Sequence, residues 1–170
     1  MRNVSGPYAA WASWLDAFGR GEDLPTTHLP PISEEMGPDM QERLLRRINQ
    51  AFVARQDWWV AAFVRDREQA EPTPLGLATN LIDARARLRP LVALTRSELL
   101  SAPMRAVFGE ALEKVVRDSQ RNLENSVRRQ THNVDAMLTT VRENDLTRAL
   151  TTPSTVDSPR NRPGGRTIIV

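Results

Sequence analysis

The sequence predicts an all-α fold: a helical bundle of about four main helices, one long C-terminal helix and a disordered C-terminal tail. Three observations predict it. Apolar residues recur at helical spacing, as in Trp11, Trp14, Leu15 and Phe18. Prolines and glycines collect in short stretches that separate such segments. Finally, no glycine or proline occurs between Glu110 and Thr152.

The first helix opens at Ser5-Gly6-Pro7, where serine can cap and proline is tolerated in the first turn. Gly19 and Gly21 end it. Residues 19–37, with Pro25, Pro30 and Pro31, read as a strap anchored by Leu24, Leu29 and Ile32. Gly37-Pro38-Asp39 begins a second helix, running to about Ala70. Leu44, Leu45, Ile48, Phe52, Trp59 and Phe63 line one face of it, and Val53, Val60 and Val64 a second stripe. A helix apolar on more than one face belongs at the centre of its domain. Arg43, Arg46 and Arg47 near its start and Asp66, Glu68 and Glu71 at its end oppose the helix dipole, so tertiary packing must hold both ends.

Glu71-Pro72-Thr73-Pro74 is a linker. A third helix over Leu75 to Arg89 is expected to bury Leu75, Ala78, Leu81, Ile82 and Leu88, with Pro90 ending or kinking it. Thr95-Arg96-Ser97-Glu98 has capping-box spacing, which predicts a short helix to Leu100. The last helix is expected over 103–150. At about 1.5 Å per residue it would reach roughly 70 Å, so part of it must project, kink or find a partner. The helical domain thus covers 1–150. The tail, 151–170, mixes Pro153, Pro159, Pro163 and Gly164-Gly165 with Ser, Thr and Arg, and ends in the apolar Thr167-Ile168-Ile169-Val170.

Composition narrows the function classes. The 170 residues are 40% hydrophobic and suit one domain plus a tail. The aromatics lie before residue 64 except for Phe108. Without cysteine there are no disulfides, thiolate zinc sites or thiol nucleophiles. No leader and no apolar run of about 18 residues is seen, which makes a cytoplasmic location the default and a membrane partner unexpected. The net charge is +2 with a pI near 9.9, and Lys114 is the only lysine. Residues 1–80 carry 8 basic and 11 acidic side chains, and residues 81–170 carry 15 and 10. That asymmetry is too mild for a nucleic-acid arm.

The strongest functional signal is a seven-residue spacing. Val127, Val134 and Val141 take a positions of a heptad with Gln120, while Val116, Leu123, Gln130, Met137 and Asn144 take d. β-Branched a with Leu or Met at d favours paired helices, and Gln130 would trade stability for register. The seam can pack inside the chain, against a copy, or against another protein. Arg117, Arg121, Arg128 and Arg129 could follow phosphates. Yet Asp118, Glu124 and Asp135 interleave with them, and Glu113→Arg117 and Glu124→Arg128 are helix-supporting i, i+4 pairs. Trp11/Trp14 and Trp58/Trp59 read as core, with one of the adjacent pair turned outward.

No catalytic, cofactor or metal residues are expected. His28 and His132 stand apart, and there is no HExxH, GxGxxG or Walker loop. The sequence therefore reads as a non-enzymatic helical assembly or adaptor protein whose partner is a protein or a second copy. The expected contact residues are Leu123, Val127, Gln130, Val134, Met137 and Val141, with Ile168, Ile169 and Val170 as a docking terminus. The alternatives are a helical nucleic-acid binder, which is not favoured, and a bundle that takes an apolar ligand.

Overall fold

A computed structural model describes residues 6–130 and 132–151, and in these the chain is all-α without strands. Helix α1 (Pro7–Gly19) starts with Gly6 at its cap and buries Trp11, Trp14, Leu15 and Phe18, the stripe expected from their spacing. After a single 3-10 turn, Glu34–Met36, comes α2 (Pro38–Gln69), which packs on α1 and also meets the segments that follow it. It buries Leu44, Ile48, Phe52, Trp59 and Phe63. Its second stripe is mostly outside: Val53 and Val64 are exposed, as is Leu45, while Val60 is half-buried against the core. The helix is central because its main face and both flanks are used, not because two apolar stripes are buried.

The opposing charges at the ends of α2 are settled by tertiary and local partners. Arg47 pairs with Asp16 of α1 at 2.7 Å, Arg46 with Glu42 at 2.6 Å, and Asp66 with Arg87. The Arg87 hydrogen bond holds the Asp66 carboxyl below the ordinary value of 3.8, against a smaller opposing effect of burial and with Arg65 helping.

Helix α3 (Pro74–Arg87) is capped by Thr73, whose hydroxyl accepts from Gly76 N at 3.0 Å. Its inward residues are Leu77, Asn80, Leu81 and Ala84, with Leu88 just after it. The expectation that Leu75 and Ile82 are core is corrected, since they are 76% and 50% exposed. Inward positions repeat as 77, 80/81, 84 and 88, so the buried face follows the regular register and includes a polar residue. Pro90 does not simply end a helix. It sits in the first turn of α4 (Arg89–Arg96), where its missing N–H costs nothing. Leu88, Leu91 and Leu94 form the buried face there. The short helix expected from Thr95 to Leu100 is absent: the Thr95 hydroxyl donates back to Val92 O, and Ser97 Oγ accepts from Leu99 N. Those side-chain bonds make a turn, the usual competitor of a helix start.

The helix expected over 103–150 is not one helix. Helix α5 (Ala102–Arg128) ends, and α6 (Val134–Glu143) and the single turn α7 (Arg148–Thr151) follow. Asn133 at the cap of α6 has φ 54°, the one non-glycine residue with a left-handed backbone among those described. Asparagine tolerates that conformation better than most residues. Thr131, His132 and Asn133 are weak helix formers by sequence. The turn lets α6 pack on α5 and α3, and α7 on α3 and α4. The energetic reason is burial. A straight continuation would carry Met137 and Val141 away from the core they now complete. The coiled-coil expectation is accordingly not supported.

One contiguous apolar cluster runs from Trp11 through Phe52, Leu81 and Phe108 to Leu146. No described helix is long and apolar enough to cross a membrane. The expected tail falls on 152–170, outside the described residues apart from Thr151, which closes α7.

Candidate binding cleft

The α5–α6 turn and the α2–α3 turn lie at the same end of the bundle, and a cleft of about 300 Å³ opens between them. Its aliphatic walls are Leu77 from α3, Leu123 and Val127 from α5, and Met137 from α6. Ala70 and Pro72 of the α2–α3 connection close one side, and Ser126 and Gln130 stand on the α5 side. Arg67, Glu68 and Glu71 bring charge of both signs to the lining.

The polar member of the buried lining is Asn80. It is 5% exposed, and its side-chain Oδ1 has no hydrogen-bond partner. Buried polar atoms are nearly always satisfied, so an exception calls for an explanation. Gln56 Nε2, Arg55 Nε and Arg85 Nε are likewise unpartnered, but none of these residues lines this cleft. Asn80 reaches this position because α3 presents it one residue from Leu81 on the inward face.

The heptad residues divide as follows. Leu123, Val127 and Met137 are buried in the chain's own core, and each also forms part of the cleft wall. Gln130 is exposed at the cleft edge. Val134 is half-buried, and Val141 is wholly buried. The structure thus gathers Leu123, Val127, Gln130 and Met137 at one place and sets Val134 and Val141 apart from it. Ile168, Ile169 and Val170 lie outside the described residues. A register role in the seam belongs to Gln120 rather than Gln130. Its Oε1 accepts from Leu146 N at 3.0 Å, and its Nε2 donates to Glu124 at 3.1 Å, which fixes the returning strand of chain on α5.

Three of the four arginines in the α5 row meet carboxylates. Arg117 meets Glu113 at 2.8 Å, Arg121 meets Asp118 at 3.5 Å and Arg128 meets Glu124 at 3.9 Å. His28 and His132 are exposed. Among the described residues, no group of three or more His, Asp or Glu side chains is placed to hold a metal.

Sequence reasoning missed Asn80, and it also missed Arg55. Arg55 is 1% exposed and reaches from α2 under the strap. Its Nη1 donates to Phe18 O at 3.1 Å and Glu22 O at 3.0 Å, and its Nη2 to Asp23 at 2.7 Å. The Phe18 and Trp58 rings lie against the guanidinium. Only its position between apolar Phe52 and Trp59 on the inward face of α2 could have marked it. That arginine is structural in its contacts, whereas the cleft is open.

With this geometry established, the chain was compared with protein-family models, curated proteins and solved structures, and it matches none of them.

Proposed function

We propose that this chain is a non-enzymatic adaptor that captures a protein partner at the cleft between the α2–α3 and α5–α6 turns. The observation that carries the reading is a surface cleft of about 300 Å³ whose floor is formed by the buried side chains of Leu77, Leu123, Val127 and Met137. Interface cores are commonly built this way, with an apolar centre inside a polar rim. Arg67, Glu68, Glu71 and Gln130 supply that rim. The pairing of Arg117, Arg121 and Arg128 with carboxylates argues against a phosphate-tracking surface.

The volume of about 300 Å³ also supports a second reading, a small apolar ligand, since it lies at the lower end of the range for such sites. Residues 151–170 keep a proposed role as a secondary tether through Ile168, Ile169 and Val170.

The test is affinity capture with the full chain, paired with light scattering. Ser126→Trp fills the cleft from a partly exposed position. Capture that disappears in this variant while the thermal midpoint holds supports the adaptor reading. Capture that is unaffected places the partner surface elsewhere and sinks it.

A further inference from the structure

We infer that residues 166–170 of this chain dock on the outer face of its own α3, with Ile168, Ile169 and Val170 covering Leu75 and Ile82 and Arg166 facing Glu71. The inference goes beyond the adaptor reading and stands without it. It says where the proposed tether rests when no partner holds it.

The surface comes first. Helix α3 is apolar on two faces. Leu77, Leu81 and Ala84 point inward, while Leu75, Ala78, Ile82 and Ala86 recur at i, i+3, i+7 and i+11 and make a second, outward stripe. Leu75 is 76% exposed, the most of any large apolar side chain among the described residues, and Ile82 is 50% exposed. Unlike the floor of the cleft, these side chains are open to contact. The polar group within the stripe asks for no partner, because the Thr79 hydroxyl donates to Leu75 O at 3.0 Å.

Length and charge choose the occupant. Thr151 closes α7, and α7 packs on α3. Seventeen residues then lead to Ile168, with Ser, Pro, Gly and Arg prominent among them. A coil of that length spans about 23 Å on average. Helix α3 is about 21 Å long at 1.5 Å per residue, so the spacer matches the span it must cover, which is where effective concentration is highest. A second copy lacks that advantage. The footprint also fits: three extended residues cover about 10 Å, and Leu75 and Ile82 stand about 10 Å apart along the helix axis. Residues 152–170 carry Arg160, Arg162 and Arg166 against Asp157. The stripe is flanked by two exposed carboxylates, Asp83 beside Ile82 and Glu71 beside Gly76, and neither makes an ion pair among the described residues. The arginines of α3 do not oppose this match, since Arg87 is held by Asp66 and Arg85 is half-buried with its Nε out of solvent.

The chain has no cysteine, so a single Gly165→Cys substitution in the full chain carries one nitroxide at a defined place. The readout is paramagnetic broadening of methyl resonances by NMR. The Leu75 and Ile82 methyls should broaden, while those of Val53 on α2 and Val107 on α5, which are also exposed, should not. Ile168→Asp combined with Ile169→Asp should lose the broadening at Leu75 and Ile82. Arg166→Glu should weaken it and Arg166→Lys should keep it, and added salt should weaken it in part because exposed ion pairs are screened.

Equal broadening at Leu75, Ile82, Val53 and Val107, or none at any of them, would overturn the docking. Broadening that survives the double aspartate substitution would overturn the apolar contact. Mixing nitroxide-bearing, NMR-silent chains with methyl-labelled chains tests the source of the segment. Broadening of Leu75 and Ile82 in that mixture would assign the occupant to a second copy and overturn docking within one chain. None of these outcomes bears on the cleft, which the Ser126→Trp capture experiment tests separately.

Discussion

The strap end of the molecule and the cleft end bond their buried polar groups to different degrees. At the strap, both indole donors and the two terminal nitrogens of Arg55 are bonded, while Arg55 Nε has no partner. Trp11 donates to Pro30 O at 2.8 Å, Trp14 to Leu24 O at 3.1 Å, and Arg55 to two carbonyls and a carboxylate. Leu29 and Ile32 are buried beneath these bonds, whereas Leu24 is exposed and contributes only its carbonyl. At the cleft, Asn80 is buried to a similar degree and its oxygen is left without a partner. Burial by itself therefore does not decide how many of a polar group's hydrogen bonds are made.

The comparison can be broken by mutation, and the largest effect is expected at Arg55. Arg55→Ala strands the carbonyls of Phe18 and Glu22 and removes the surface that Phe18 and Trp58 pack on. Denaturant unfolding should show a loss of about 3 kcal/mol, the cost typical of breaking a buried charged contact from one side. A loss below about 1 kcal/mol would put Arg55 in the class of surface ion pairs and remove the contrast.

Asn80→Leu should move stability in the other direction. Replacing an unsatisfied buried amide with an apolar group of similar shape removes a desolvation penalty, so unfolding should need about 1 kcal/mol more. A clear loss of stability would show that the carboxamide is satisfied in solution and that the cleft end resembles the strap.

The smallest effect concerns pH. The folded value of Asp66 is lowered by its bond to Arg87, so its contribution is present above 3.8 and fades as pH falls through that lower folded value. The stability gap between the wild-type protein and Asp66→Asn should therefore stay constant at neutral and mildly acidic pH and close only below 3.8. A gap that changes between about pH 6 and 8 would assign the dependence to another group.

Much of the fold was legible in the sequence, and the particular residues show why. Trp11, Trp14, Leu15 and Phe18 leave no ambiguity of face, and Leu44, Ile48, Phe52, Trp59 and Phe63 orient α2 in the same way. The chain reversal at Asn133 was not legible, because the reading treated glycine and proline as the signals for an end. An asparagine in a left-handed conformation, set among weak helix formers, did the same work. The start of α4 was misplaced because Pro90 can close one helix or open the next, and only the burial of Leu91 and Leu94 decides between them. The cleft was half visible. Leu123, Val127, Gln130 and Met137 were picked out by their spacing, but as a seam along a straight helix. Asn80 carried no signal, since one asparagine on a short helix looks like any surface residue until the register of α3 is known.

One bond of the strap has a consequence for how the chain assembles. Ile32 N donates to Leu99 O at 2.9 Å, joining the strap to the connection between α4 and α5. The contact of α5 with the returning segment, Gln120 to Leu146, is much more local in sequence. Contacts between distant residues require the closure of a long loop and contribute little until the intervening chain is ordered. The α5–α6 contact therefore closes a shorter loop than the Ile32–Leu99 bond, which spans α2, α3 and α4. The strap works as a latch that ties the N-terminal part of the chain to the connection before α5.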